Sequence, residues 1–282
     1  MIPDNQTNFV YFSALLPKWY QEEFRKIEAI LNKHGIKYGF LNGTKDIWCR
    51  DYMPIQIAKD RFVQFLYEPD YLKGEYASTI TPPEVTLGAI PPGAKYTRSE
   101  IKVDGGNVVR WTDKAIMTDK VFKKTENPGS DRETLTRQLE GLLDAKELIY
   151  IRQEPYEPFG HSDGMVRFID ANTVLVNNYL HLDRKFGDNL LGSLHEHGLK
   201  TIVIPYNPQK NRRGRQSAIG CYINFLQAQG IILVPQFGLP EDYQALKTMQ
   251  DAFPNASVIP VDCRDVAEEG GVLNCISWNI LI

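Results

Sequence analysis

One cysteine, one histidine and three acids stand in short glycine- or turn-marked corners of this 282-residue chain. The corners read Trp48, Arg50, Asp51; Asp104, Gly105, Gly106, Asn107; Gly160, His161, Ser162, Asp163; and Gly270, Gly271, Asn274, Cys275. A thiol attacks as its thiolate and needs a partner for its proton. Of five histidines, His161 is the one in a glycine-flanked corner; His34, His195 and His197 fall in helix ends, where a solvated structural role is ordinary.

The number of acids narrows the chemistry. A protease-like triad orients its histidine with one acid or amide, whereas several carboxylates around a thiol raise its pKa and weaken it unless a cation sits among them. A guanidinium fits such a place, being planar, donor-only and matched to carboxylates on opposite edges. Asp51 and Asp163 around Cys275 therefore read as a guanidinium clamp, with the thiol aimed at the central carbon and His161 as the partner that could hold or accept its proton. Each residue also has a structural reading. Cys275 could be a buried strand thiol, Asp163 a turn acid bonding its own backbone, Asp51 the ion-pair partner of Arg50, Asp104 a plain turn acid, and Trp48 core or substrate wall. A metal held by His161, Asp163, Asp104 and Cys275 is conceivable, but HxxxH and HExxH spacings are absent, and neither metal nor other cofactor is expected. Cys49, Cys221 and Cys263 are assigned to structure.

These corners must be brought together by repeated elements. Each opens a short strand, a turn and a second apolar strand: RDYMPIQIAKDRFVQFLY, DGGNVVRWTDKAIMTDKVF, GHSDGMVRFIDANTVLVNNY, IGCYINFLQAQGIILVPQF and, without its ending, GGVLNCISWNILI. Between them lie four helical patterns, on Tyr20, Phe24, Ile27, Leu31; on Leu135, Leu139, Leu142, Leu143 after a Ser130 and Glu133 capping box; on Leu182, Phe186, Leu190, Leu191, Leu194; and on Leu246, Met249, Phe253. Corner spacings of 53, 57 and 51 residues fit about five units. The expected fold is α/β: a five-bladed pseudo-symmetric α/β propeller of hairpin-helix-strand repeats, whose corners all face one axis. The proline-bearing stretch from Asp70 to Lys102 is expected to be an extended loop replacing one helix. No linker interrupts the chain, so residues 1–282 are expected to form a single catalytic domain.

Composition excludes other classes. With 43% hydrophobic residues the chain can bury a full core, and a net charge of −3 gives no general attraction to phosphates or anionic lipid. Neither nucleic acid nor membrane is an expected partner. No signal peptide is recognised, and a cytoplasmic location is expected. The four cysteines are too scattered for a disulfide framework.

At these corners the sequence resembles the guanidine-modifying superfamily, which includes arginine, agmatine and peptidylarginine deiminases and the amidinotransferases. WCRDYMP, DGGN, GHSDG and GGVLNC are similar to its corner motifs. The stretch CYINFLQAQGIILVPQFGLPEDYQAL, with FPNASVIPVD, is most similar to the agmatine deiminase and bacterial peptidylarginine deiminase branch. The resemblance runs from about Trp48 to Trp278 and implies a five-bladed α/β propeller. It also implies Cys275 as nucleophile, His161 as acid and base, and Asp51 and Asp163 as guanidinium ligands. Asp104, Gly106 and Asn107 fall in an acid-Gly-Gly motif expected to contact the histidine or the substrate. Departures are Met53 for the usual Gly, Asn274 for His and Asp104 for Glu.

The expected function is hydrolytic deimination through a covalent thiouronium on Cys275, with agmatine, converted to N-carbamoylputrescine and ammonia, ranked first among small guanidine substrates. Alternatives are deimination of arginine or C-terminal peptidylarginine, amidinotransfer, and a non-catalytic guanidine-binding propeller. The basic run from Lys210 to Arg215 is a solvated loop or a carboxylate anchor. In the second case Arg212 and Arg215 would bind substrate and favour a carboxylate-bearing guanidine over agmatine.

Overall fold

A computed structural model describes residues 1–282, the side chain of Glu75 excepted. Near the N-terminus β1 (Phe9–Ser13) leads through α1 (Gln21–Lys33) to β2 (Lys37–Leu41), which runs parallel to β1. The second unit is β3 (Ile55–Ala58), β4 (Arg61–Leu66) and β5 (Lys95–Lys102). The third is β6 (Val109–Arg110), β7 (Lys114–Thr118), α2 (Arg132–Leu143) and β8 (Glu147–Ile151). The fourth is β9 (Val166–Asp170), β10 (Thr173–Asn177), α3 (Arg184–Glu196) and β11 (Lys200–Ile204). The fifth is β12 (Leu226–Ala228), β13 (Ile231–Gln236), α4 (Asp242–Ala252) and β14 (Ser257–Asp262), after which β15 (Ser277–Ile280) returns to β1.

Among the described residues, fifteen strands form five three-stranded sheets, each an antiparallel pair extended by one parallel strand. The fold is the pseudo-symmetric five-bladed α/β propeller expected from the repeats. The fragment GGVLNCISWNILI, which lacks an ending in the sequence, finds it at the other end of the chain, because β15 pairs with β1 and so completes the blade of β1, α1 and β2.

Apolar spacing explains the helices. Phe24, Ile27 and Leu31 recur on one face of α1 and are buried against Phe12 and the strands of the fifth unit. Burial of each such side chain stabilises by about 1.5–3 kcal/mol. The cap of α2 is Asp131, whose side chain accepts from the Thr134 N–H, rather than Ser130 of the expected capping box. Both residues can cap, and the one nearer the helix does so. Leu182 precedes α3 and is exposed. The stretch from Asp70 to Lys102 does lack a long helix, but it contains β5, so the expectation of an extended loop is corrected over Lys95–Lys102. This strand is polar along most of its length, KYTRSEIK, because it lies at a sheet edge with much of it in solvent.

One strand of each blade's antiparallel pair carries a buried polar residue near the axis: Asn279, Gln56, Arg110, Arg167 and Gln227. Three of these converge on Asp4, whose carboxylate accepts from Arg110 at 2.8 Å, Arg167 at 2.7 Å and Asn279 at 3.1 Å. Burial alone would push the Asp4 carboxyl up, and the guanidiniums of Arg110 and Arg167 overcome it, holding it well below the usual carboxylate range. Among the described residues no helix is long and apolar enough to cross a membrane.

Candidate active site

At the other end of the inner strands the corners meet. A single helical turn, Cys49–Tyr52, turns Asp51 inward. Arg50 does not pair with it. Its guanidinium donates to the Asn274 carbonyl at 3.3 Å and to Asn279 Oδ1 at 2.7 Å, while its N–H donates to the Cys275 carbonyl at 3.1 Å. The first corner thus holds the last. The Gly106 N–H donates to Asp51 Oδ1 at 3.0 Å, and a Cβ on Gly106 would lie 2.7 Å from both Asp51 Oδ1 and His161 Nδ1, so glycine is required by close approach. His161 lies between two acids, with Nε2 2.9 Å from Asp104 Oδ2 and Nδ1 3.6 Å from Asp51 Oδ1.

Cys275 Sγ lies 3.9 Å from Asp163 Oδ2. That oxygen also accepts from Asn274 Nδ2 at 2.6 Å and Asn224 Nδ2 at 3.3 Å. Asn224 Oδ1 in turn accepts from the Cys275 N–H at 3.3 Å, so one amide fixes both the Cys275 backbone and the Asp163 carboxylate. Asn274 Oδ1 is buried with no hydrogen-bond partner among the described residues, an acceptor that a donor-only ligand would complete.

The electrostatics follow from burial and neighbours. Burial would lower the His161 pKa, but Asp51 and Asp104 outweigh it and lift it to about 9, so the imidazole is cationic at neutral pH. Burial raises Asp51 to about 7, against the pull of His161. Burial likewise works against Asp104, whose bond to His161 nevertheless holds it below the ordinary value. Burial, then Asp163 and Asp51, push the Cys275 thiol well above its ordinary range.

Cys275 and His161 face two hollows. The larger, about 500 Å³, is walled by Trp48, Asp51, Tyr67, Tyr71 and Phe159, with Arg215 and Glu269 also lining it. The smaller, about 60 Å³, is lined by Asp163, Glu154, Glu157, Asn224, Tyr206 and Cys221. Asp51, Asp163, His161, Cys275, Trp48, Asp104, Gly106 and Arg215 are therefore brought to one place. Two expected residues are not. The Asn107 side chain accepts from the Thr118 N–H at 2.8 Å and serves the turn, and Arg212 is exposed and lies 3.3 Å from Glu268. Cys221, assigned to structure, does line the smaller hollow.

Sequence reasoning missed Asn224, Glu154, Glu157 and Lys120. Asn224 had a signal, since it stands two positions before β12 as Asn107 does before β6. Glu154 accepts from the hydroxyls of Tyr179 at 2.7 Å and Tyr206 at 2.8 Å, and burial raises it to about 7 despite them. Glu157 accepts from the N–H groups of Phe159 and Gly160, which shapes the turn into His161. Lys120 donates to Asp104 Oδ2 at 2.8 Å.

Comparison with known proteins agrees with this architecture. An agmatine deiminase from Pseudomonas aeruginosa is 26% identical over 215 residues, covering 65% of this chain and 58% of that one. The chain spans just over half the length of the curated relatives it matches, from 54% upward. A C. jejuni agmatine deiminase superposes with a TM-score of 0.81 at 16% identity over 100% of this chain and 95% of that one, and has also been solved as a Cys-to-Ser form with substrate bound. An amidinotransferase from Microseira wollei shares the fold at a TM-score of 0.66 and 13% identity, over 98% of this chain and 95% of that one. The family model for Porphyromonas-type peptidyl-arginine deiminases matches residues 21–280, and the chain belongs to that family.

Proposed function

We propose that this chain hydrolyses a small guanidine to a ureido product and ammonia, with agmatine as the first-ranked substrate. The observation that carries the reading is a thiol and an imidazole that line the same two hollows together with acids from two different corners. With no cation between them, those acids and burial hold the Cys275 proton on. A guanidinium between Asp51 and Asp163 would offset their charge, satisfy Asn274 Oδ1 and favour the thiolate, so that Cys275 releases its proton to solvent and the substrate arms its own nucleophile. The S–C bond then forms, and His161 passes its proton to the departing nitrogen as the C–N bond breaks. Ammonia leaves a thiouronium. Neutral His161 next takes a proton from water, whose oxygen adds to the carbon, and the C–S bond breaks to give the ureido product. The acids hold the substrate's existing charge in place, so little reorganisation is needed at the transition state.

Acidic groups favour a substrate with a second cation. Asp46 and Glu269 line the larger hollow, and Glu154 and Glu157 the smaller. One residue favours the alternative. Arg215 lines the larger hollow, where it could receive the carboxylate of arginine or of a C-terminal peptidylarginine. The test is kcat/KM for ureido formation over agmatine, arginine and arginine-ending peptides, in the parent, Cys275→Ala and Arg215→Ala. Agmatine is expected to be fastest and indifferent to Arg215, and Cys275→Ala to lose all but about 1% of the rate while still binding guanidine. A parent that prefers carboxylate substrates, and loses them in Arg215→Ala, would reverse the substrate ranking. No turnover of any guanidine would leave a binding protein.

A further inference from the structure

Lys120 is a buried cation with no part in the steps above. It follows β7 in the turn Asp119–Phe122, and its stem runs along the residue before the histidine, where a Cβ on Gly160 would lie 3.0 Å from Lys120 Cδ. Its Nζ lies 2.8 Å from Asp104 Oδ2, 3.5 Å from Glu126 Oε1 and 4.0 Å from Asp70 Oδ1, and 4.6 Å from the centre of the Tyr71 ring. Three donors share Asp104 Oδ2: His161 Nε2 at 2.9 Å, Lys120 Nζ at 2.8 Å and the Tyr71 hydroxyl at 3.3 Å. The carboxylate that holds His161 is thus held from behind by an ammonium, which also anchors the Asp70–Tyr71 segment walling the larger hollow.

We propose that Lys120 is a positioning residue, which fixes Asp104 against His161 and governs, through that shared oxygen, how firmly the imidazole keeps its proton. The inference deepens the proposed hydrolysis and rests on it for its catalytic meaning, but its charge coupling can be read without turnover. Asp104 is a short acid, and the ammonium aligns the oxygen that the ring uses while opposing the imidazolium charge. Without the ammonium the Tyr71 hydroxyl and His161 itself still hold that oxygen, so the lost charge governs the midpoint. His161 is faced by Asp51 from the turn Cys49–Tyr52, by Asp104 from the β6 corner and by Lys120 from the turn after β7. Glu157 faces it from the loop before it, and Asp163 and Cys275 share its smaller hollow. Asp51 and Asp104 favour the cation and Lys120 opposes it.

The experiment is a 15N-imidazole NMR titration of the whole chain, with the His161 signal assigned by its loss in His161→Gln. In Lys120→Met the titration midpoint of His161 is expected to rise by about one pH unit, the size one nearby charge produces in a buried site. In Lys120→Arg, which keeps the cation, it is expected to stay at the parent value. Because Lys120→Met leaves three acids without their cation, Lys120→Met combined with Asp70→Asn and Glu126→Gln is measured beside it as a foldable version, with the same rise expected if Lys120 dominates. On turnover, Lys120→Met is expected to lower kcat about tenfold with little change in KM and to move the alkaline limb of the pH profile upward. An unmoved midpoint in the folded variants overturns the inference even if guanidines are turned over. A moved midpoint in a chain that turns over no guanidine leaves the charge coupling standing and overturns the proposed function instead.

Discussion

Gly106→Ala tests whether the contact between the first three corners is as tight as the geometry says. The added Cβ would lie 2.7 Å from Asp51 Oδ1 and 2.7 Å from His161 Nδ1, where an ordinary contact begins at 3.4 Å, so Asp51, His161 or both must retreat by several tenths of an ångström. The backbone at Gly106 is not in the left-handed region, so the perturbation is steric rather than conformational. Retreat stretches the Gly106 N–H bond to Asp51 and widens the 3.6 Å gap between Asp51 and His161. A misplacement of about 1 Å costs about 100-fold in rate, so a shift somewhat smaller than that is expected to lower kcat/KM by about 10- to 100-fold. Overpacking of this kind costs about 1–3 kcal/mol of stability. Gly164→Ala is the control. It sits beside Asp163, yet its added Cβ would meet nothing within 4 Å, and its rate should match the parent. Ureido formation and thermal melting are measured on all three proteins. A Gly106→Ala enzyme within about threefold of the parent would refute the claim that these corners are fixed by close approach.

Two further outcomes follow from the charges. The His161 pKa is raised in the folded state, so the stability it contributes is fully present below about pH 6.5, the unfolded value, and is lost as pH rises through about 9. The gap in Tm between the parent and His161→Gln should therefore be wider at the low end of that window, and an equal gap at both ends would refute the pairing with Asp51 and Asp104. Asp4 has the opposite sign, its folded pKa being depressed. Asp4→Asn leaves Arg110 and Arg167 buried without their anion, a loss of about 3–5 kcal/mol near neutral pH. That loss should shrink as the solution is acidified below the ordinary carboxylate range, and denaturant unfolding at several pH values checks it.

The repeating corners were legible because turn residues and apolar strands recur at nearly constant spacing, and this fixes which residues share an axis before any coordinate is known. Asp51, His161, Asp163 and Cys275 are grouped on that basis, and the fold brings them to one place. β5 was hidden because a strand with both faces largely in solvent carries no alternation to read. The side chain of Asn107 looked like its neighbours in the corner, yet an amide beside a turn is as readily spent on a backbone N–H, as its bond to Thr118 demonstrates. Lys120 lies at the far end of the second repeat from its corner, and Glu154 and Glu157 lie outside the repeats; their nearness to His161 comes from how the turns between strands fold back. Residue type gives no hint of that. Arg212 and Arg215 were inseparable in sequence, and an acid at Glu268 decides between them by drawing one outward.

The seam between β15 and β1 has a consequence for when the thiol becomes dangerous. Cys275 stands just before β15, whose antiparallel partner Phe9–Ser13 lies at the far end of the chain, and Arg50 reaches across to Asn279 of the same strand. Contacts so distant in sequence carry a large loop-closure cost and form late. Until the ring shuts, Cys275 has neither its carboxylates nor its imidazole, and under the proposed function a partly folded chain bears an ordinary thiol rather than one that guanidines can arm. Fraying of the N-terminal strand should likewise disarm the folded protein well before its sheets dissolve, which makes the seam a safety catch on the chemistry.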